Sequence, residues 1–267
     1  MILIGILFRV CMMRRCVEKK CTAVMACKNA DPYVVDSLSS FISQAHQNLN
    51  MIVVDDASSD LSAEKILDFI KLHGVEDRIK LIRLTASLGC AGARNVGIRH
   101  ANGDYVAVWD SDDIYMENRI SNTIDFMEYS CIDACGTWAN LMNNFEYTQD
   151  KYVYAPCDHD EIVWRLPSKL NPMIDPSCII RKKCLDVLRG WSEDDNIRLS
   201  PDLDLWFRMA KANMRLGNIG DFLMWYRIRP TSNTGSKKDE MIKHHVEVVR
   251  RHYGKVELKR HESIYKG

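Results

Sequence analysis

Two aspartates at alternate positions, Asp110 and Asp112, follow directly on the apolar run at residues 105–109. Residues two apart on a β-strand face the same side, so these two carboxylates can point to one place. Carboxylate oxygens and water are the ligands that Mg²⁺ and Mn²⁺ prefer, and such an ion can hold a diphosphate. The alternative is that a residue within 111–113 caps the helix predicted for residues 116–128. Taken alone, the pattern leaves both interpretations open, and the rest of the sequence favours a metal.

A second pair of carboxylates could likewise either contact a ligand or cap a helix. Asp55 and Asp56 follow the apolar residues 51–54. A carboxylate at the end of an early strand of an α/β domain often hydrogen-bonds a ribose or a base. The alternative is that it caps the following helix, a role that the sequence assigns more readily to residues 58–60. We therefore predict that Asp56 contacts a nucleotide.

Short strands and helices alternate through the first half of the chain. Apolar runs predict four strands, at residues 21–27, 51–54, 79–84 and 105–109. Apolar residues at helical spacing predict helices at residues 34–45, 60–73, 93–100 and 116–128, with a glycine-containing turn at residues 89–92. This order is typical of an α/β domain with a mainly parallel sheet and helices on both faces.

Polar residues end three of the predicted strands. Asn29 and Asp31 follow the first strand, Asp56 follows the second, and Asp110 follows the fourth. Ligands of parallel sheets bind beyond the carboxyl ends of the strands. We therefore expect these side chains to converge on one edge of the sheet.

The regular pattern fades after about residue 140. Residues 143–160 are polar and aromatic without clear periodicity, and residues 231–238 form a loop rich in serine, threonine, glycine and lysine. Helices are predicted at residues 202–212 and 240–253. The second half is predicted to elaborate the same domain.

The bulk composition limits the classes of partner. Lys plus Arg and Asp plus Glu both number 36 among 267 residues, which excludes a general nucleic-acid binder with its excess of basic residues. Ten cysteines without a CxxC pair, in a chain that is 46% apolar, predict mostly buried, reduced thiols in a cytoplasmic protein. Residues 1–8 are apolar but too few to span a bilayer, which needs about 20. Residues 1–19 are therefore predicted to be an N-terminal extension or a tail with peripheral membrane contact.

Three segments carry a resemblance to a known family. They are, in order, CTAVMACKNADPYVVDSLSSFISQ, MIVVDDASSD and LGCAGARNVGIRHANGDYVAVWDSDD. Together they resemble the inverting glycosyltransferase family 2, whose members have the GT-A fold, a Rossmann-like α/β domain. The resemblance covers about residues 20–130, and the combination of motifs is highly specific.

The resemblance implies a nucleoside-diphosphate sugar as donor, with a UDP-sugar favoured. By position, Asp56 would meet the base, Ala26 would lie by the base through its backbone, and Asp112 would bind Mn²⁺ or Mg²⁺. A structural salt bridge is an equally open role for Arg94. The donor site implied by the resemblance comprises Ala26, Asn29, Asp56, Arg94, Asp110 and Ser111.

A looser resemblance extends into the second half. Residues 201–208, PDLDLWFR, resemble the family segment Glu-Asp-x-Asp-Leu-Trp-x-Arg, with Pro201 in place of the Glu. The resemblance makes Asp202 the candidate general base. The alternative is that residues 200–202 simply begin a helix with Pro in its first turn, and both roles can hold at once. Asp204 would face elsewhere on that helix.

Four basic residues, Arg227, Arg229, Lys237 and Lys238, flank the late loop. They would either offset the charge of a diphosphate or form a solvated basic surface. The resemblance divides one GT-A domain into a nucleotide-sugar-binding half at residues 20–135 and an acceptor-binding, catalytic-base half at residues 136–267.

The sequence therefore predicts a metal-dependent, inverting glycosyltransferase for surface polysaccharide or glycoconjugate biosynthesis. Its acceptor would be a glycan or a lipid-linked sugar, at the inner face of the cytoplasmic membrane or in the cytoplasm. A non-catalytic module that binds a nucleotide sugar or a glycan remains open. A sugar nucleotidyltransferase normally has a glycine-rich basic loop where this chain has residues 28–31. A dinucleotide-dependent dehydrogenase would need G-x-G-x-x-G there, and that motif is absent.

Overall fold

Four parallel strands form the centre of the sheet, and they correspond to the four predicted apolar runs. The computed structural model describes residues 19–168, 171–229, 237–254 and 265–266. Almost every residue of the first and fourth strands is buried, as expected for strands that are covered on both faces. In the spatial order β4-β1-β2-β3, these strands are β1 (Cys21–Cys27), β2 (Leu49–Asp55), β3 (Ile79–Arg83) and β4 (Tyr105–Asp110).

Helices cover both faces because side chains along each strand alternate between the faces. The first three are α1 (Val34–Ile42), α2 (Ser62–His73) and α3 (Gly89–His100). The face of β1 that carries Met25 shares a core with α1 and α2. The opposite face, with Val24, packs on α3. This contact is close because Gly97 of α3 has no Cβ, and a Cβ there would collide with Val24.

Several helices begin at other residues than predicted, among them α3 and α2. α3 begins at Gly89, so the predicted turn at residues 89–92 is its first turn. The Asp56 carboxylate stabilises this start by accepting hydrogen bonds from two backbone N–H groups there. α2 begins at Ser62 and its N-cap residue is Leu61, so the prediction of an N-cap within residues 58–60 is wrong, although Asp60 accepts a hydrogen bond from the Ser62 N–H at 3.0 Å.

Beyond β4 the sheet continues through strands that the sequence patterns do not predict. They are β5 (Ile114–Tyr115), β6 (Ala134–Asn143), β7 (Glu146–Val153), β8 (Ile179–Arg181), β9 (Leu216–Ile228) and β10 (Tyr265–Lys266), the last of which pairs with β7. β8 lies between β4 and β6 and is antiparallel to both, while β9 runs parallel to β6 and pairs with β5. Because β8 is antiparallel to β4, its amino end lies at the edge where β4 ends.

The two helices predicted in the second half are confirmed and pack against each other. The helices of this half are α4 (Arg119–Ser130), α5 (His159–Arg165), α6 (Lys182–Leu188), α7 (Pro201–Lys211) and α8 (Lys238–Tyr253). α7 is amphipathic, and it buries Leu203, Trp206 and Phe207 in the core on the side of the sheet that carries α3.

Eight cysteines lie in the described part of the chain, and all eight are free thiols. The prediction of mostly buried thiols holds for five of them, whereas Cys90, Cys131 and Cys157 are exposed. No helix within the described ranges has the length and apolar character needed to cross a membrane. Residues 1–18 of the predicted N-terminal extension and residues 231–236 of the predicted loop lie outside the described residues.

Candidate active site

The carboxyl edge of the parallel strands borders a cavity of about 360 Å³. The residues that line it include Arg94, Asp110, Asp112 and Asp202, all of which have a role predicted from the sequence. These four residues come from the middle of α3, the end of β4, the loop after β4 and the first turn of α7. Two of the six predicted donor-site residues, the predicted metal ligand and the predicted general base therefore line one cavity.

Arg94 forms ion pairs with two carboxylates of the cavity wall. Its Nη2 lies 2.8 Å from Asp110 Oδ1, and its Nη1 lies 2.5 Å from Asp175 Oδ2. The Arg94 side chain is 4% exposed, and its guanidinium lies 5.4 Å from the centroid of the Trp191 ring. A guanidinium that is buried to this extent needs such partners. Of the two roles left open by the sequence, the structure shows the salt bridge, and contact with a nucleotide stays a prediction.

Asp175 is a cavity residue that the sequence analysis misses. It lies in a short turn, Asp175–Ser177, directly before β8. Burial raises the pKa of Asp175 to about 7, with a contribution from the charges of Asp202 and Asp110, although Arg94 opposes the rise. The sequence offers only turn signals here. The position of Asp175 at the site follows from the antiparallel direction of β8, which places its amino end beside the carboxyl end of β4.

Asp112 forms an ion pair with Arg229, the residue that follows β9. Its Oδ2 lies 2.6 Å from Arg229 Nη2. Burial and the neighbouring charge of Asp110 raise the pKa of Asp112 to about 6, although Arg229 opposes the rise. Asp113 Oδ1 accepts a hydrogen bond from the Arg227 N–H at 2.8 Å, and burial raises the pKa of Asp113 well above its usual range. Three strand-end and loop carboxylates are thus held close together in a region of low exposure.

The helix-cap alternative for residues 111–113 is wrong. α4 begins at Arg119 and is preceded by Asn118, whose side chain makes no capping hydrogen bond. In the first turn of α4, the Ile120 N–H donates a hydrogen bond to Gln44 Oε1 at 3.4 Å. The carboxylate of Asp112 is therefore not used to hold a helix end. It lines the cavity together with Asp110.

The carboxylates of the cavity fit a hard divalent cation. Five carboxylates line the cavity against four guanidinium groups, and one of those guanidinium groups, that of Arg198, is paired with Glu240. The repulsion of Asp112 by Asp110 is one that a cation would relieve. Within the described ranges, no three or more His, Cys, Asp or Glu side chains are grouped to hold a metal. A metal at Asp112 would therefore take its other ligands from a phosphate and water, as Mg²⁺ commonly does.

Arg227 and Arg229 belong to the cavity wall, so the alternative of a solvated basic surface is wrong for them. Arg227 is buried, its Nε donates to the Asp112 carbonyl oxygen at 2.5 Å, and its guanidinium lies 4.8 Å from the centroid of the Tyr33 ring. The Arg229 side chain is 19% exposed in its pair with Asp112. Lys237, in contrast, is exposed.

Asp202 lies in the first turn of α7 and lines the cavity. Its Oδ2 accepts a hydrogen bond from Asn171 Nδ2 at 2.6 Å, which fixes the orientation of the carboxylate. Burial raises the pKa of Asp202, although the N–H of Leu203 and the charge of Arg94 oppose the rise. Both interpretations of residues 200–202 are compatible with this geometry, because Pro201 begins the helix while Asp202 lines the cavity.

Asp204, two residues further along α7, is not part of the cavity wall, as predicted. Its carboxylate lies 2.7 Å from Arg208 Nε and 2.9 Å from His252 Nε2. The contact with Arg208 lies within α7, and the contact with His252 joins α7 to α8. Asp204 therefore has a structural role.

His245 of α8 and Asn171 also line the cavity, and the sequence analysis identifies neither. His245 Nε2 lies 2.7 Å from the Ser168 carbonyl oxygen. Burial lowers the pKa of His245, so the imidazole is neutral at pH 7. The histidines of this chain have no spacing that indicates a ligand set, and only the packing of α8 brings His245 to the site.

Three other predicted donor residues lie at the same edge of the sheet, outside the cavity lining. Ala26 is the register partner of Asp110, and Ser111 is buried. Asn29 has a positive φ of 50°, and its Oδ1 accepts a hydrogen bond from the Ser59 N–H at 2.9 Å. Their contacts with a donor stay predictions.

Asp56 holds the start of α3 in this structure. Its Oδ2 accepts a hydrogen bond from Ser87 Oγ at 2.6 Å, and its Oδ1 accepts one from the Leu88 N–H at 2.6 Å. The residue is buried and does not line the cavity. Asp56 therefore has a capping role, and its predicted contact with a base stays a prediction.

Removing the charge of Arg229 should destabilise the protein at neutral pH. Arg229→Gln removes the cation paired with Asp112, and we expect the free energy of unfolding to fall by about 1 kcal/mol at pH 7. The fall is limited because a carboxyl with a pKa of about 6 can take up a proton instead of staying charged. It should shrink as pH falls towards 6 and be nearly absent below pH 6, because protonated Asp112 no longer attracts a cation. Urea unfolding of both proteins across this pH range measures the difference.

The matched control is Arg250→Gln, which removes an exposed ion pair with Glu247. Surface pairs of this kind contribute little, so the control should unfold like the wild type. Equal stability of Arg229→Gln and wild type at neutral pH would contradict the assignment of Arg229 as the partner of Asp112.

Comparison with known proteins agrees with the fold. The model of the family described as glycosyl transferase family 2 matches residues 22–188. Among curated relatives, the chain is 36% identical over 232 residues to UDP-Glc:alpha-D-GlcNAc-diphosphoundecaprenol beta-1,3-glucosyltransferase WfgD of Escherichia coli, covering 82% of this chain and 81% of that protein. It is 30% identical over 213 residues to TuaG of Bacillus subtilis (strain 168), which is named for teichuronic acid biosynthesis, covering 78% of this chain and 79% of that protein.

Two solved structures share the fold. TarS 1–349 of S. aureus in complex with UDP-GlcNAc superposes with a TM-score of 0.64 at 19% identity, covering 81% of this chain and 61% of that one. The mannosyltransferase PcManGT from Pyrobaculum calidifontis, in complex with GDP-Man and Mn²⁺, superposes with a TM-score of 0.67 at 15% identity, covering 93% of this chain and 71% of that one. The chain therefore belongs to glycosyl transferase family 2, and it is a glycosyltransferase with the GT-A fold.

Proposed function

We propose that this chain transfers a hexose from a nucleoside-diphosphate sugar, with UDP as the favoured nucleotide, to a hydroxyl of a lipid-linked acceptor sugar. The observation that carries the proposal is the single cavity that contains both the Asp112–Arg229 pair and Asp202. One part of its wall thus offers cations and a carboxylate that would bind a metal, and another offers a carboxylate that would act as the base. The reaction needs both around the anomeric carbon.

The leaving group would lie at Asp112. Asp112 would hold Mn²⁺ or Mg²⁺, and Asp110 would lie beside the ribose or the sugar. A metal held there would neutralise the charge of the departing diphosphate. Arg229 and Arg227 border the same place, and their guanidinium groups are suited to bidentate contact with phosphate oxygens.

The acceptor would approach from the side of Asp202. Asp202 would take the proton from the acceptor hydroxyl as the oxygen attacks the anomeric carbon. Its raised pKa suits this task, because a general base works best when its pKa is near the pH of the reaction. A base and a diphosphate on two sides of the sugar would support a single displacement, which inverts the anomeric configuration.

The nature of the acceptor is inferred from the cavity wall and from a relative. Apolar residues line the cavity together with the base, namely Met173, Leu199, Leu203 and Met241. The printed name of WfgD, which is 36% identical, specifies UDP-Glc as donor and a sugar on diphosphoundecaprenol as acceptor. We infer an acceptor of the same class, used in surface polysaccharide biosynthesis at the inner face of the cytoplasmic membrane.

A turnover assay tests the proposal. The protein is incubated with Mn²⁺, a GlcNAc-diphospho-lipid analogue and, in turn, UDP-glucose, UDP-GlcNAc and GDP-mannose. Release of nucleoside diphosphate is measured. The mass of the product is determined by mass spectrometry, and its anomeric configuration is determined by NMR. Acceptor-dependent release with a mass gain of one hexose unit is expected. Binding of a donor without release in any combination would favour a non-catalytic nucleotide-sugar module.

As pH is lowered, kcat should begin to fall at a higher pH than it would if the general base were an aspartate with an ordinary pKa. Protonated Asp202 cannot accept the acceptor's proton, and burial raises the pKa of Asp202 above its usual value of about 3.9. The pH dependence of kcat, measured with saturating metal and both substrates, reports this group in the complex. A kcat that stays constant down to about pH 4 would contradict the assignment.

A further inference from the structure

Asp175 has one oxygen engaged and one oxygen free to accept. Its Oδ2 is held by Arg94 Nη1 at 2.5 Å. Its Oδ1 is buried and has no hydrogen-bond partner among the described residues. The side chain as a whole is 12% exposed and lines the cavity. A buried acceptor without a hydrogen-bond donor is unfavourable. A ligand that donates a hydrogen bond to Oδ1 would therefore bind more tightly.

The position of Asp175 indicates which part of a ligand would meet it. Arg94 joins Asp175 to Asp110 on the donor side, and the charges of Asp110 and Asp202 both act on Asp175. In a single displacement, the transferred sugar lies between the diphosphate and the base. The proposed diphosphate site is at Asp112, and the base is Asp202. Asp175 therefore borders the space of the sugar itself.

The support of Asp175 is rigid enough for selective recognition. Arg94 is fixed by Asp110 on one side and lies against the Trp191 ring on the other. Asp175 itself lies in a hydrogen-bonded turn, in which the Cys178 N–H donates to its carbonyl oxygen at 2.9 Å. A site that holds a polar group in a fixed place rejects ligands that lack the matching hydroxyl.

We propose that Asp175 is a specificity-determining residue, whose Oδ1 accepts a hydrogen bond from a hydroxyl of the transferred sugar while Arg94 holds Oδ2. The inference rests on the proposed function, because it needs a nucleotide sugar in this cavity. It assigns to Asp175 a contact with the sugar and none with the nucleoside diphosphate. That separation makes the inference testable.

The test compares binding of a nucleotide sugar with binding of its nucleoside diphosphate. The donor is the one that gives turnover among UDP-glucose, UDP-GlcNAc and GDP-mannose, and affinities are measured by calorimetry with Mn²⁺. Asp175→Asn keeps the shape but loses the charge and one acceptor. We expect about 10–100-fold weaker binding of the sugar nucleotide, the loss expected for one hydrogen bond to a charged group. Binding of the nucleoside diphosphate should change by less than about threefold, since Asp175 does not touch it.

Monodeoxy analogues of the donor sugar identify the hydroxyl. The analogue that lacks the hydroxyl read by Asp175 should bind the wild type and Asp175→Asn equally, because each change removes the same hydrogen bond. Asp175→Glu provides a second variant that keeps the charge near Arg94 while displacing the accepting oxygen. It should also weaken the sugar nucleotide selectively. Retained binding of the nucleoside diphosphate shows that each variant is folded.

Two results overturn the inference in distinguishable ways. Equal weakening of the sugar nucleotide and the nucleoside diphosphate means that Asp175 acts only by holding Arg94, and the proposed function stands. Failure of the wild type to bind any nucleotide sugar overturns the proposed function, and this inference with it.

Discussion

Asp202→Asn is expected to lower kcat by a factor of about 10²–10⁴ while leaving donor affinity unchanged. Asparagine has nearly the shape of aspartate, but it cannot accept the proton of the acceptor hydroxyl. Asp202 belongs to α7, whereas the Asp112–Arg229 pair comes from the ends of β4 and β9, so the nucleotide should be bound as before. Steady-state rates and calorimetric donor affinities of the two proteins measure both parts.

The same variant should be at least as stable as the wild type at neutral pH. Burial raises the pKa of Asp202 in the folded protein, so ionised Asp202 disfavours folding. For a raised pKa, the contribution to stability is present below the unfolded-state pKa and is lost as pH rises through the folded-state pKa. The uncharged amide of Asp202→Asn avoids this loss, and its oxygen can still accept the hydrogen bond from Asn171. Loss of activity with undiminished stability is the signature of a catalytic group.

Asp204→Asn is the matched control, on the same turn of the same helix. It removes the ion pairs with Arg208 and His252, neither of which lines the cavity. We expect lower stability at neutral pH and a kcat close to that of the wild type. Because these partners lower the pKa of Asp204, its stabilising contribution is lost as pH falls through that pKa. Turnover by Asp202→Asn within about threefold of the control would remove Asp202 from the mechanism.

The central strands were predictable because their residues are chosen by burial alone. β1 and β4 are buried on both faces, so they appear in the sequence as short apolar runs that end abruptly in polar residues. The rule that ligands bind beyond the carboxyl ends of parallel strands then brings Asp110 and Asp112 to one place without any further information. Arg94 and Asp202 were placed by family motifs, and both line the same cavity.

The strands from β5 to β9 were not predictable because their polar and apolar residues do not follow one period. β7 reads EYTQDKYV, in which charged and amide side chains interrupt the alternation typical of a strand. β9 changes register with β6 twice along its length, which breaks the alternation again. Pairing with distant segments, rather than local pattern, determines these elements.

Asp175 illustrates the consequence for the site. It lies 81 residues from Arg94 in the chain, and only the insertion of β8 between β4 and β6 brings the two together. Asp56 shows the opposite difficulty. A carboxylate at a strand end can serve a ligand or the next helix, and the sequence does not reveal that Ser87 and Leu88 will donate to it.

Asp112→Ala is expected to abolish the metal-dependent part of donor binding. For the wild type, UDP with Mn²⁺ at about a hundredfold excess over its dissociation constant should raise the free energy of unfolding by about 2.7 kcal/mol. Thermal unfolding is measured with UDP in the presence of Mn²⁺ and in the presence of EDTA. The variant should give the same small shift in both conditions. Asp204→Asn, which lies outside the cavity, should retain the full metal-dependent shift on its own lower baseline.

The result in EDTA decides between two ways of neutralising a diphosphate in this cavity. Asp112 is paired with Arg229 in this structure, so the carboxylate would serve a metal either together with Arg229 or in place of it. Metal-dependent stabilisation in the wild type, lost in Asp112→Ala, means that the carboxylate is a metal ligand. Equal stabilisation by UDP with and without Mn²⁺ means that Arg227 and Arg229 carry the diphosphate charge alone. In that case the Asp112–Arg229 pair serves to position a guanidinium, and the prediction of a metal at Asp112 is wrong.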